Sequence, residues 1–261
     1  MSINLASLSR TRRIRAPKIV ICGPGKIGKS TFAASAPGAV GILTEAGMDA
    51  IDGIAFPVAQ SLDEVYQAIG ALLSEEHDHQ FVYLDSLDWL EPLVHEHVCR
   101  ANGWTDIEKP GYGKGYVAAA EEWRTLLAGL DQLREQRGMG AILIAHDQIK
   151  HVEDPLTEGY DTHALKLHSR ASAIVAEWAD VIGYAGYRVF VNKTDAGFGQ
   201  KEAKAATTGE RLLHVEAHPA HCGGNRFGLK NLPLSWAAFA AALAAAQSPQ
   251  PAAAAALPQA A

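Results

Sequence analysis

One loop of the sequence has the pattern G-x-x-x-x-G-K-[ST], with Gly23, Gly28, Lys29 and Ser30 at the fixed positions. Glycines at this spacing let backbone N–H groups turn inward on phosphates, and the helix that follows presents the positive end of its dipole to the same charge. The lysine reaches the β- and γ-phosphates, and the serine hydroxyl ligates Mg²⁺. We therefore expect ATP and Mg²⁺ as cofactors. The residues expected around the phosphates are Gly23, Pro24, Gly25, Lys26, Ile27, Gly28, Lys29, Ser30 and Thr31.

A second candidate group is the acidic residue Asp85, which closes the apolar run of residues 81–84. Downstream of a phosphate loop, such an aspartate is predicted to bind Mg²⁺ directly or through water, together with Ser30. A helix-capping role is the alternative at this position. Ser86 follows Asp85, where many ATPases have a glutamate as general base. A hydrolytic base must therefore come from another strand end.

Glu45 is the preferred candidate for that base, because it follows the apolar run of residues 40–43 and a parallel sheet brings such strand ends together. A surface carboxylate is the alternative reading, and Asp88 and Glu91 are weaker rivals. His146 follows a further apolar run, at residues 141–145, where it can contact the γ-phosphate or the attacking water. A capping histidine is its alternative, and Gln148 can share or replace the role.

The elements that must position these residues alternate between apolar strands and amphipathic helices, which predicts an α/β fold with a parallel sheet covered on both faces. We expect an exposed loop at residues 150–162 and a helix at residues 165–178. Separate strands are expected at residues 181–185, 187–191 and 211–215, and a last helix at residues 235–246. The predicted divisions are a basic arm at 1–16, one ATPase domain at 17–246 and a disordered Ala/Pro tail at 247–261.

Composition restricts the possible settings. The chain of 261 residues is 48% hydrophobic and has no run of about 20 apolar residues that would span a bilayer. Three cysteines without C-x-x-C spacing favour a reduced, cytoplasmic location without a membrane. The net charge of −6 excludes a global nucleic-acid footprint, so DNA contact must come from local basic patches. The Arg-rich arm is one such patch, with a solvated arm as the alternative.

These patterns resemble the RecA-like ATPase core. Residues 81–87 resemble its metal-binding strand, residues 44–49 its catalytic-glutamate segment and residues 143–150 its sensor strand. Residues 111–116, with Glu122 and Trp123 behind them, are similar to phage-encoded P-loop nucleotide-binding proteins, among them the single-strand annealing proteins of the Sak type. The resemblance covers most of the chain from Lys18 to about Leu243.

The resemblance implies a RecA-like P-loop NTPase core with a mostly parallel sheet, a small C-terminal β extension and a final helix. It also implies an ATPase of phage recombination or replication in a bacterial host. Such a protein binds single-stranded DNA, assembles into a ring or filament and works beside a single-strand-binding protein. Its DNA-facing loops correspond to residues 104–116 and 150–170. The first interleaves cations with aromatic rings, as single-stranded DNA binding requires, whereas the second carries acidic as well as basic residues and is the weaker candidate. The candidates are Trp104, Lys109, Tyr112, Lys114, Tyr116, Lys150, Lys166 and Arg170. A flexible loop whose aromatic rings pack on the domain is the alternative for the first segment.

The resemblance also implies a basic finger that reaches the γ-phosphate of a neighbouring subunit. Arg226 is the candidate, with Gly224 where relatives carry a lysine, and Lys166 is a second possibility. Surface charge unrelated to phosphate is the alternative for both. The missing lysine leaves open a non-hydrolysing, nucleotide-switched interaction module. A ring-forming replication motor or helicase loader is a third reading. A cluster of His214, His218, His221 and Cys222 has loosely metal-like spacing, with zinc as a minority interpretation.

Overall fold

The structure is a computed structural model that describes residues 4, 5, 8, 13–156, 158–195 and 201–248. Its strands are β1 (Lys18–Cys22), β2 (Ala39–Leu43), β3 (Ile54–Ala55), β4 (Phe81–Asp85), β5 (Gly140–Ala145), β6 (Asp147–Val152), β7 (Tyr160–Leu165), β8 (Val181–Asp195), β9 (Lys201–His214), β10 (Gly224–Asn225) and β11 (Leu232–Pro233). Its helices are α1 (Lys29–Ala34), α2 (Leu62–Ser74), α3 (Leu87–Asn102), α4 (Lys114–Gln136), α5 (Ser169–Trp178) and α6 (Trp236–Gln247).

The central sheet has nine strands within the described residues, in the order β11-β9-β8-β1-β5-β4-β2-β3, with β10 paired to β8. The strands from β8 to β3 run parallel, whereas β9, β10 and β11 are antiparallel additions at one side. The predicted α/β class with a mostly parallel sheet is confirmed. Because β1, β5, β4 and β2 are parallel neighbours, their carboxyl ends meet at one edge.

Alternate residues of β1 enter two separate cores, one on each face of the sheet. Val20 and Cys22 face the core that α2, α3, α4 and α5 cover, whereas Ile19 and Ile21 face the core closed by α1 and α6. All residues of β2 are buried, as expected for a strand covered on both faces. On the smaller face, the ring of Phe32 in α1 packs edge-on against aromatic rings of α6.

Three sequence-based expectations about the second half of the chain were wrong. Residues 150–162 do not form an open loop, because β6 and β7 make an antiparallel hairpin outside the main sheet. Most of β6 is solvent-exposed, so its sequence lacks the apolar alternation of a half-buried strand. The helix expected from residue 165 begins at Ser169, because β7 extends to Leu165. The separate strands at 181–185 and 187–191 are one strand, β8, which forms a long ribbon with β9.

No helix among the described residues combines the length and the apolarity needed to cross a membrane. The strands and helices of the described residues extend from Lys18 to Gln247, and the division into one ATPase domain at 17–246 stays a prediction. The predicted tail at 247–261 and the basic arm at 1–16 lie largely outside the described residues.

Candidate functional site

The loop between β1 and α1 has a backbone that its glycines make possible. A Cβ atom at Gly23 would lie 2.3 Å from the carbonyl oxygen of Ala185 in β8, so only glycine fits there. Gly28 has a φ of 112°, a left-handed conformation that side chains rarely adopt. The spacing of glycines in the sequence therefore reflects two separate physical needs, close packing on β8 and a turn into α1.

Lys29 lies inside this loop and is 5% exposed. Its Nζ donates hydrogen bonds to the carbonyl oxygens of Gly23 at 2.7 Å and Pro24 at 2.9 Å. Burial lowers the pKa of Lys29, and the negative charges of Asp85 and Asp147 act in the opposite direction. The loop thus surrounds the ammonium group. To bind a phosphate oxygen, the ammonium would only exchange one of its two carbonyl partners for that oxygen.

Asp85, at the end of β4, lies beside the Ser30 hydroxyl. Burial raises the pKa of Asp85, a hydrogen bond from Ser30 lowers it, and the charge of Glu45 raises it again, so the net shift is upward. A hydroxyl and a carboxylate side by side fit Mg²⁺, which takes oxygen ligands and commonly uses one or two protein groups plus phosphates and water. No group of three or more His, Cys, Asp or Glu residues among the described residues is arranged to hold a metal ion. A metal at Ser30 and Asp85 would therefore depend on the nucleotide for further ligands.

Glu45 is fixed to the end of β4 by hydrogen bonds through Ser86. The Ser86 hydroxyl donates to Glu45 Oε1 at 2.6 Å, and the Thr44 hydroxyl donates to the Ser86 carbonyl oxygen at 2.7 Å. The Ser86 backbone N–H in turn donates to Thr44 Oγ1 at 2.9 Å. Leu43 and Asp85 are register partners in the parallel β2–β4 pair, which sets the two strand ends level. No sequence pattern indicates the Ser86–Glu45 contact, which joins the ends of two different strands.

His146, after β5, is oriented by Asp88 at the start of α3. Its backbone N–H donates to Asp88 Oδ1 at 3.0 Å, and its ring Nδ1 lies 3.0 Å from Asp88 Oδ2. The other ring nitrogen, Nε2, faces the phosphate loop, 4.0 Å from the place of a Cβ on Gly25. Burial raises the pKa of Asp88, but the hydrogen bonds from His146 lower this pKa by more than burial raises it, so the net shift is downward.

The four candidate side chains converge on one cavity of about 480 Å³ at the carboxyl edge of the sheet. Lys29, Asp85, Glu45 and His146 line it together with much of the phosphate loop and an apolar wall that includes Met48. The rivals for the base have other partners: Asp88 holds His146, and Glu91 accepts the backbone N–H of His168 at 2.9 Å. The side-chain amide of Gln148 donates to the Leu165 carbonyl oxygen at 3.0 Å, so it is engaged with β7.

A mostly parallel α/β sheet, with a phosphate loop after its first strand and an acidic strand end beside that loop, defines a P-loop nucleoside-triphosphate-binding protein. The chain belongs to the AAA domain family, whose model matches residues 15–227. This range includes β1 to β10 and hence every cavity residue named above. Family and fold together support nucleotide binding and ATPase activity, typically with Mg²⁺. No curated protein matches the chain.

Arg226, the finger candidate, lies at the opposite edge of the sheet from the phosphate loop of its own chain. Its Nη1 is 3.3 Å from Asp180 Oδ1, and its Nη2 donates to the Glu177 carbonyl oxygen at 2.8 Å. Asp180 immediately precedes β8, and Asn225 pairs with Val181 at that amino end. Arg226 is therefore placed away from the nucleotide cavity of its own chain.

The DNA-contact candidates divide into exposed and packed residues. Trp104 packs on the larger core, and the Tyr116 ring stacks on His168 with centroids 4.0 Å apart. Tyr112, by contrast, is fully exposed. Its φ of 50° is left-handed, which is uncommon for a residue other than glycine. The exposed candidates are Lys109, Tyr112, Lys114, Lys150, Lys166 and Arg170.

Arg211 is a cation at the phosphate loop that sequence reasoning missed. It lies in β9, and its Nη1 donates to the Ile27 carbonyl oxygen at 3.1 Å. The same nitrogen would lie 2.8 Å from a Cβ on Gly28. No local signal reveals it, because the contact joins residues 184 positions apart through the return of β9 to the sheet.

The histidine cluster does not converge as metal ligands do. The rings of His218 and His221 stack with centroids 5.2 Å apart, and His221 stacks on Tyr184 at 5.5 Å. Burial lowers the pKa of His221 to about 4, so its ring is neutral near pH 7. Together with His163 and His214, these rings line a second cavity of about 590 Å³ that reaches Pro24 of the phosphate loop.

Proposed function

We propose that this protein is a Mg²⁺-dependent, RecA-like ATPase that binds single-stranded DNA and promotes its annealing. The observation that supports the ATPase part most directly is the convergence of Lys29, Asp85, Glu45 and His146 on one cavity. Lys29 begins α1 after the phosphate loop, and the other three lie at the ends of β2, β4 and β5, so the arrangement depends on the whole parallel sheet rather than on one local motif.

In this proposal the phosphate loop and Lys29 hold the β- and γ-phosphates, and Ser30 and Asp85 hold Mg²⁺. The metal, when bound, neutralises charge on the phosphate oxygens. Glu45 takes a proton from the attacking water, and its hydrogen bond from Ser86 fixes the carboxylate in place. His146 directs Nε2 toward the phosphates, because Asp88 engages Nδ1. Loss of the γ-phosphate would remove the partner of that nitrogen.

The DNA part of the proposal is supported by the exposed cations and by Tyr112. A flat aromatic ring held out in solvent between Lys109 and Lys114 can stack on a base while the ammonium groups attract phosphates. Another exposed cation, Lys166, has its Nζ 3.9 Å from Oδ2 of Asp88, the residue that engages His146 of the nucleotide cavity. Assembly into a homo-oligomeric ring or filament, and contact with a single-strand-binding protein, complete the proposal.

Two assays on one set of variants test this function. ATP hydrolysis with and without single-stranded DNA should be detectable in the wild-type protein and lost in Lys29→Ala. Glu45→Gln should keep ATP binding and lose turnover by ~10² or more. Glu76→Gln, an exposed carboxylate on the loop after α2, is the matched control. Gel shifts and annealing of complementary oligonucleotides test the DNA part, and absence of DNA binding in every nucleotide state would reject it.

A second candidate function is a nucleotide-switched interaction module that does not hydrolyse ATP. The observation that favours it concerns Arg226, the candidate for the basic finger. Its guanidinium already contacts Asp180 and the Glu177 carbonyl oxygen, so it is not free to reach a γ-phosphate without losing these contacts. Sustained phosphate release that disappears in Lys29→Ala would exclude this module. ATP binding without release, in the presence of single-stranded DNA, would favour it over the ATPase.

A further inference from the structure

Two cysteine sulfurs meet at the base of the phosphate loop. Cys22, the last residue of β1, is fully buried, and its Sγ lies 2.8 Å from the Sγ of Cys222. The two residues are 200 positions apart in the chain. Both are free thiols, as is Cys99 on α3. Neither sulfur has a task in the ATPase mechanism proposed above.

Both cysteines are fixed to β8, so their approach is set by the fold. Cys22 is the register partner of Tyr184 in the parallel β1–β8 pair. Cys222 donates its backbone N–H to the His163 carbonyl oxygen at 2.9 Å, and two residues later Gly224 pairs with Ile182 of β8. A disulfide has an S–S distance of about 2.05 Å, so bond formation needs a shift of less than about 1 Å.

We propose that Cys22 and Cys222 form a redox modification site, in which a peroxide or a low-molecular-mass disulfide converts the two thiols into an intramolecular disulfide. The bond lies one residue before Gly23. It would tie the segment that carries His218 and His221 to the start of the phosphate loop. Cytosolic disulfides of this kind are typically transient and redox-sensing.

The two sulfurs have different roles in the reaction. Cys222 is half-buried, whereas Cys22 is enclosed, so an oxidant from solvent meets Cys222 first. The hydrogen bond between the thiols lowers the pKa of Cys222, and the same hydrogen bond together with burial raises the pKa of Cys22. Cys222 is accordingly the attacking thiolate and Cys22 the resolving thiol.

With a peroxide, the Cys222 thiolate attacks one peroxide oxygen, the O–O bond breaks, and a sulfenic acid and water form after proton uptake. The Cys22 sulfur then attacks the Cys222 sulfur, the S–O bond breaks, and a second water leaves with the Cys22 proton. With a small disulfide, Cys222 first forms a mixed disulfide and releases one thiol, and Cys22 displaces the second. In both cases the protein loses two electrons and two protons to the oxidant.

A metal site is a poorer reading of the same residues. No group of three His, Cys, Asp or Glu residues in the described part of the chain is arranged for a metal. The rings of His218 and His221 stack, and the Nδ1 atom of each accepts a hydrogen bond from a backbone N–H, which occupies that nitrogen. Two sulfurs in contact, with stacked rings beside them, fit covalent pairing better than coordination.

The test treats the full, reduced protein with hydrogen peroxide or oxidised glutathione under native conditions, followed by thiol counting and peptide mapping. We expect the accessible and buried thiols to fall from three to one, with Cys22 linked to Cys222, and reduction to restore all three. Cys99→Ser is the matched control and should form the same link. Cys222→Ser should form no intramolecular link. This variant is preferred to Cys22→Ser, because a serine at the fully buried position 22 could destabilise the core around β1.

The result that would overturn the proposal is the persistence of three thiols, oxidation of Cys222 without a link to Cys22, or a link to Cys99 instead. The same oxidation in guanidinium shows whether the fold directs the pairing, and loss of the Cys22–Cys222 preference there is the expected outcome. Because the readout is a count of thiols, it does not depend on ATP hydrolysis. A failed ATPase assay and a failed disulfide are therefore separate results.

Discussion

Asp88 accepts two hydrogen bonds from His146, one from the backbone N–H and one from the ring, each at 3.0 Å. The Asp88 side chain is 5% exposed, and its carboxylate also lies 3.9 Å from Lys166 Nζ. One buried charge thus contacts both the histidine that faces the phosphates and a cation of the proposed DNA surface. Asp88 therefore fixes the orientation of the His146 ring.

Replacement of Asp88 by asparagine should lower ATP turnover by roughly tenfold, because the His146 ring loses the charged partner that fixes its orientation. The pH profile of kcat should change as well, whereas KM for ATP should change little. Asp63→Asn is the matched control, since Asp63 also pairs with a histidine, His97, but on the exposed side of α2. An unchanged pH profile in Asp88→Asn would contradict the positioning role.

The carboxyl-edge residues could be predicted from sequence because each follows an apolar run, and parallel strands end at the same edge. Glu45, Asp85 and His146 were therefore identified without knowledge of the strand order. Their partners could not be. The hydrogen bonds from Ser86 to Glu45 and from His146 to Asp88 exist only because β2, β4 and β5 are neighbours in the sheet.

The β6–β7 hairpin was missed because its strands lack the apolar runs that revealed the central strands. Its strands lie outside the main sheet and much of β6 faces solvent, so burial does not impose a period-2 pattern on the sequence. The long β8–β9 ribbon was likewise divided into pieces, since Tyr187 to Val189 are exposed and a register shift interrupts the pairing between them. Sequence patterns report burial, and both β6 and residues 187–189 have little of it.

Ser86→Ala should reduce turnover by about tenfold, because Glu45 loses the hydrogen bond that fixes its carboxylate. The effect should depend on Glu45. In a Glu45→Gln background, the same change should cost little more, which a double-mutant cycle of kcat measures. Additive losses in the double variant would show that Ser86 acts on something other than Glu45.

Asp85 and Asp88 have opposite pKa shifts, and we expect opposite effects on stability when each becomes asparagine. Burial and the charge of Glu45 raise the pKa of Asp85. When the pKa of an aspartate is higher in the folded than in the unfolded state, the folded protein loses stability as pH rises from the unfolded pKa through the folded one. Asp85→Asn should therefore stabilise the nucleotide-free protein at pH 7, while weakening Mg·ATP binding by roughly tenfold or more.

Asp88 has the ordinary sign for a carboxylate that accepts hydrogen bonds. Its pKa is lowered in the folded state, so its contribution is present above the unfolded value and is lost as pH falls through the folded one. Asp88→Asn should destabilise at pH 7, with a difference from wild type that shrinks below about pH 4. Urea unfolding of both variants across pH measures this, and equal signs at pH 7 would refute the assignment.

Tyr112→Ala should weaken binding to single-stranded DNA by roughly tenfold, because one base loses its stacking partner. The fold should be unaffected, since Tyr112 is fully exposed and alanine keeps a Cβ in the same left-handed backbone. Tyr112→Phe keeps the flat ring and should bind like wild type. Fluorescence anisotropy with a labelled oligonucleotide measures both, and equal affinities of the alanine and wild-type proteins would remove Tyr112 from the DNA surface.

Arg211→Ala should weaken ATP binding by about fivefold, because the guanidinium supports the phosphate loop from β9 through the Ile27 carbonyl oxygen. A charged hydrogen bond contributes about 1.5–3 kcal/mol when buried, and exposure of Arg211 reduces this to about 1 kcal/mol. Arg188→Ala is the matched control, since Arg188 lies on the same ribbon and pairs with Glu210 at the surface. Calorimetric titration with Mg·ATP compares the two variants. If both variants bind Mg·ATP like wild type, Arg211 is not needed for the shape of the phosphate loop. The packing of Gly23 on Ala185 would then be sufficient to hold that loop.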